Sequence, residues 1–190
     1  MMFYDRHKLL RLLALVAFAI TALAGCASRT PSAPPQDSAL DQIARIPRPS
    51  VAGPQRSLAD SRGKIVLLHF FSSWCVQCAM EAPTLRNLHL SFSDSPFTVI
   101  GVAVDDDPFQ MQAFVSKFQL PFPVILDETG ELKTFFSVKE LPATLFLDKR
   151  GVPIRFQDPE TGNVTAMITG PRVWDATRSV EMIAALVEGM

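Results

Sequence analysis

Two cysteines stand one helical turn apart in the run Trp74-Cys75-Val76-Gln77-Cys78. They follow a continuous apolar stretch, Ile65-Val66-Leu67-Leu68-His69-Phe70-Phe71, and open a segment with helical patterning. A thiol pair at a strand-to-helix junction suits thiol–disulfide chemistry. The spacing lets the two sulfurs close a small ring. The helix N-terminus favours a thiolate on Cys75, the nucleophile, and places Cys78 as the resolving thiol. A structural role is the weaker alternative, because a bond this local closes almost no loop and stabilises a fold little.

The chain of 190 residues has only one other cysteine, Cys26. A basic start (Arg6, Lys8, Arg11) leads into an apolar stretch, Leu12 to Leu23, short for a membrane span. Leu23-Ala24-Gly25-Cys26 then resembles a bacterial lipobox, which implies cleavage before Cys26 and lipidation of its thiol. An uncleaved anchor and an ordinary signal peptide are the competing readings. Lipidation would leave Cys75 and Cys78 as the only free thiols. Ala27 is not Asp, and under the common sorting rule this implies an outer-membrane lipoprotein facing the periplasm. In a single-membrane bacterium the same anchor implies the outer face of the cytoplasmic membrane.

Removing residues 1–25, which hold Arg6, Lys8, Arg11 and Asp5, takes the formal net charge from −1 to −3. No basic face is implied, and nucleic acid is not an expected partner. No metal site is expected either: zinc would need a second ligand pair, and the histidines are only His7, His69 and His89.

The elements that must position the pair follow from periodicity. Residues 1–25 are read as signal peptide, 26–56 as a Pro-rich tether with Ile43 and Ile46 as apolar points of contact, and 57–190 as one folded domain. Ile65–Phe71 and Phe97–Val104 are apolar enough for strands buried on both faces. Cys75–Phe92 is predicted helical, with a kink at Pro83. Asp107-Pro108 starts a second helix as cap and first residue. Pro123–Leu126 and Thr144–Leu147 are expected strands. Val152–Phe156 is expected to pair with Val164–Ile168 across the Asp158–Asn163 loop, before an amphipathic helix bearing Val180, Ile183, Ala184 and Val187. This order implies an α/β fold, a central mixed sheet sandwiched by helices.

The run from Leu58 to Pro83, with Gly63-Lys64, Ser73-Trp74-Cys75, Glu81 and Pro83, resembles the TlpA/ResA-like branch of the thioredoxin superfamily. The segment Val138–Gly151, with Leu141-Pro142 and Thr144, is similar to that family's cis-proline loop. The likeness covers most of residues 57–190. It implies a thioredoxin-like fold with an inserted strand–helix element at Asp107–Gln119. It implies a cis Pro142, and a substrate-binding surface at Trp74 and the Leu141 backbone. It places Glu81 near the sulfurs to manage the Cys78 proton; a solvated glutamate is the plainer alternative. His69 occupies the place of a buried acid, either as a redox-tuning group or as a satisfied core histidine. His89 is read as a helix-face residue of no special role. Gln77 departs from the proline usual before the second cysteine, and is expected to add an amide donor near a sulfur and change the redox poise.

The implied activity is thiol–disulfide exchange by a membrane-anchored envelope reductant with no cofactor beyond its own redox disulfide. Its expected partners are disulfide-containing envelope proteins, apocytochrome c among them, and a membrane thiol electron donor. Two alternatives stand beside it. One is a copper(I) metallochaperone, with Met80 or Met167 as a third ligand. The other is a thiol peroxidase using Ser72, against which the proline-free stretch Lys64–Trp74 weighs.

Overall fold

The structure is a computed structural model that describes residues 38–104 and 107–189. The expected signal sequence, Cys26, and the first part of the expected tether, up to residue 37, lie outside the described residues.

Five strands form one sheet in the order β3-β2-β1-β4-β7. β1 (Ile65–Phe71) is central and β2 (Phe97–Val104) runs parallel to it. β3 (Val124–Asp127) runs parallel to β2. β4 (Ala143–Leu147) lies antiparallel on the other side of β1, and β7 (Met167–Thr169) antiparallel to β4. All residues of β1 and β2 are buried, as the unbroken apolar runs require.

Alternation along β1 divides the core. Ile65, Leu67 and Phe71 pack in one cluster with Cys78, Leu85 and Leu88 of α2 (Val76–Ser91), Met111 and Phe114 of α3 (Pro108–Phe118), and Ile183 of α5 (Thr177–Gly189). Val66, Leu68 and Phe70 pack on the opposite face with Ala44 of α1 (Ala39–Arg45) and Leu132 of α4 (Glu131–Phe135). The two-sided covering is the expected α/β sandwich. Gly101, in the middle of β2, is there for space: a methyl group would lie 2.8 Å from the Phe71 ring and 3.1 Å from Val124.

The structure departs from expectation at four places. Residues 38–56 pack on the domain well beyond the contacts expected at Ile43 and Ile46. Arg48 is buried, its guanidinium donating to the Ile43 and Ile46 carbonyls and pairing with Glu131 at 3.1 Å. The Val51 amide donates to the Val124 carbonyl, and the Leu126 amide to that of Pro49. Helix α4 had no sequence expectation; at five residues it is too short for a periodic signal, and Asp127 caps it by accepting the Leu132 and Lys133 amides. Of Val152–Phe156 only Phe156 enters a strand: Pro153 makes a single bridge to Leu147, and its ring nitrogen cannot extend a ladder. Finally, Val164–Ile168 is split. β6 (Val164–Thr165) pairs with β5 (Phe156–Gln157), and β7 then joins the main sheet. The Thr165 hydroxyl sits at the break, accepting the Met167 amide and donating to the Met167 carbonyl. No helix among the described residues is long and apolar enough to cross a membrane.

Candidate active site

Cys75 is the N-cap of α2, and Cys78 lies in its first turn. They are joined as a disulfide. Cys75 Sγ accepts the Cys78 amide at 3.2 Å, so one of the free N–H groups at the helix start points at this sulfur. The same position stabilises a thiolate when the bond is opened. Only 8% of Cys75 is exposed, against 1% of Cys78. The neighbouring Trp74, Val76 and Met80 cover this end of the helix and are themselves exposed. Cys75 is thus the less buried residue of the pair. Gln77 is exposed, and the donor to sulfur is the Cys78 amide rather than that of Gln77.

The Leu141–Pro142 peptide bond is cis, as the resemblance implied. Ala143 lies opposite Phe70, so this bond falls at the end of β1 that runs into the cysteines. Leu141 is half-buried, and Pro142 accepts the Gly170 amide on its carbonyl.

Glu81 is not a solvated helix residue: it is 2% exposed. It follows Cys78 by three positions, which puts both on one buried face of α2. Its Oε2 accepts the Arg172 amide at 2.8 Å. Its Oε1 lies 2.9 Å from His69 Nε2. His69 is likewise 2% exposed, on the face of β1 that meets α2, and its ring stacks on Phe71. His69 Nδ1 lies 2.9 Å from the Thr144 hydroxyl, on the residue paired with it in β4.

Arg172 and Asp158 carried no signal in the sequence. Both are buried, and the Arg172 guanidinium binds Asp158 through two bonds of 2.8 and 2.9 Å, with Glu160 at 3.5 Å. Those hydrogen bonds hold the Asp158 carboxyl below the usual carboxylate range. Because the Arg172 main chain also holds Glu81, the β5–β6 hairpin is tied to the redox site. An open cleft of about 330 Å³ lies beside Glu81, walled by Met80, Thr84, Glu160, Pro171, Arg172 and Val173.

His89 has a packing role. Its Nδ1 accepts the Val99 amide at 3.4 Å and its ring meets the edge of Phe122. Burial, helped by nearby Lys64, lowers its proton affinity. Among the described residues, no three His, Cys, Asp or Glu side chains are grouped to hold a metal ion. Met80 is exposed beside the disulfide, and Met167 packs on the far core cluster.

The fold and the disulfide at the start of α2 define a thioredoxin-like thiol–disulfide oxidoreductase. A family model described as AhpC/TSA family matches residues 40–155, and the chain belongs to that family. Within it, the chain is 32% identical over 119 residues to the thioredoxin-like protein YneN of Bacillus subtilis, covering 61% of this chain and 67% of that one. It is 30% identical over 94 residues to the thiol-disulfide oxidoreductase ResA of Oceanobacillus iheyensis, covering 50% of this chain and 49% of the relative. The chain thus spans from about half to two-thirds of these curated relatives. A secreted Mycobacterium tuberculosis disulfide oxidoreductase homologous to E. coli DsbE superposes with a TM-score of 0.58 at 25% identity, over 79% of this chain and 99% of that one.

Proposed function

We propose that this protein is an extracytoplasmic reductant, tethered to a membrane through Cys26, that passes two electrons from Cys75 and Cys78 to disulfides in exported proteins. The observation that carries this reading is the disulfide at the helix start, with the more accessible sulfur facing the Cys78 amide. The Cys75 thiolate attacks one sulfur of the substrate disulfide, and the other leaves. Cys78 then attacks Cys75 Sγ, closing the internal disulfide and releasing the second substrate sulfur. A membrane thiol donor returns the electrons. Cis Pro142 and the Leu141 backbone lie at the same end of the sheet, and an extended substrate segment is expected to lie along them. The exposed apolar groups Trp74, Val76, Met80 and Val173 suit an unfolded polypeptide, as an apocytochrome c is. An outer-membrane address follows only if the sorting rule applies to Ala27.

Reduction of insulin disulfides, with dithiothreitol as the electron source, tests the reading. Cys75→Ser is expected to abolish turnover, and Cys78→Ser to accumulate a covalent mixed disulfide. Full turnover by either variant would overturn the dithiol mechanism. Rapid peroxide turnover would favour the peroxidase alternative, and tight stoichiometric copper(I) binding without disulfide reduction would favour the metallochaperone.

A further inference from the structure

Three buried polar side chains meet where α2 packs on the sheet: His69 of β1, Glu81 of α2 and Thr144 of β4. A buried carboxylate without partners is strongly unfavourable. Glu81 Oε2 has the Arg172 amide; Oε1 has no well-aligned hydrogen bond, and its near neighbour is His69 Nε2 at 2.9 Å. The guanidinium of Arg172 is already matched by Asp158 and Glu160. β2 offers no titratable group here, since Gly101 is the residue opposite His69. The titratable group in contact with His69 is therefore Glu81, and Cys78 lies one turn before Glu81 on the same buried face of α2.

We propose that His69 and Glu81 act as one proton-holding unit, and that the proton Cys78 gives up during its attack is received by this pair rather than by Glu81 alone. The inference rests on the oxidoreductase reading. Before the attack Cys78 is a thiol, and the pair holds a carboxylate against a neutral imidazole. As the Cys75–Cys78 bond forms, the bond from Cys75 to the substrate breaks and its electron pair leaves on the substrate sulfur, which solvent protonates. The Cys78 proton passes to the pair, which becomes neutral. When a donor later reduces the disulfide, the proton returns to Cys78. Charge neutralisation inside a buried site drives the uptake. Either member can hold the proton, since the two face each other at 2.9 Å. The Thr144 hydroxyl fixes the ring through Nδ1, making Thr144 a positioning residue.

The test is the pH dependence of mixed-disulfide resolution. Reduced protein is mixed with oxidised glutathione, quenched in acid, and the glutathione adduct on Cys75 is followed by mass as it forms and is resolved. His69→Asn keeps a polar side chain but cannot hold the proton. It is expected to move the midpoint of the resolution profile by at least one pH unit. Thr144→Val is expected to shift it in the same direction by less. If His69→Asn fails to fold, an unmoved Thr144→Val midpoint overturns the proposal by itself. An unmoved midpoint in a folded His69→Asn protein overturns it too, and makes His69 a packing residue. Failure of the wild-type protein to form or resolve the adduct would instead remove the oxidoreductase reading.

Discussion

A carboxylate 2% exposed near a disulfide needs partners, and Glu81 draws them from two distant stretches of chain, β1 and the segment at Arg172. The spacing from Cys78 fixes which face of the helix Glu81 takes, and this much is legible in the sequence. Its burial is not, because the Arg172 amide that holds it lies 91 residues later. The same holds for His69. Alternation along β1 places it toward α2, but its pairing with Thr144 needs the register of β4. Gln77 shows the opposite limit. Its departure from proline is visible at once, yet the amide that reaches Cys75 Sγ belongs to Cys78. Proline is also tolerated in the first turn of a helix. Gln77→Pro is therefore expected to change the equilibrium with a glutathione buffer by less than tenfold, about 30 mV for a two-electron couple. A larger change would mean that the residue-77 amide acts on the sulfurs in the reduced state.

At the scale of elements, the apolar runs of β1 and β2 and the Asp107 cap of α3 were recoverable because each is written in contiguous residues. The region after β4 was not. Its strands have two or three residues, and Pro153 and the Thr165 hydroxyl decide where pairing stops. What fixes this region to the site is the Arg172–Asp158 ion pair. Hydrogen bonds from Arg172 lower the proton affinity of Asp158 in the fold. The carboxylate's contribution is thus complete above its unfolded value, about pH 4, and is lost as pH falls through the lower folded one. Asp158→Asn leaves the buried guanidinium with only Glu160, at 3.5 Å, as a charged partner and is expected to cost roughly 3 kcal/mol at neutral pH. Thermal or urea unfolding at pH 7 and near pH 2 should show the gap between wild type and variant narrowing in acid. An equal gap at both would mean that the charge of Asp158 does not stabilise the hairpin.

For the molecule as a whole, the sheet brings the helix start, the cis-proline loop and the buried His69–Glu81 pair to one end, while the sequence before residue 38 carries the proposed anchor. That arrangement suits a domain that receives electrons at a membrane and delivers them to exported disulfides. The reduction potential of the Cys75/Cys78 couple tests it most directly, by equilibration of the soluble domain with dithiothreitol and glutathione buffers. A value near or below that of thioredoxin, about −270 mV, is expected. A value near −120 mV, that of a strong disulfide donor, would contradict it and reverse the direction of electron flow.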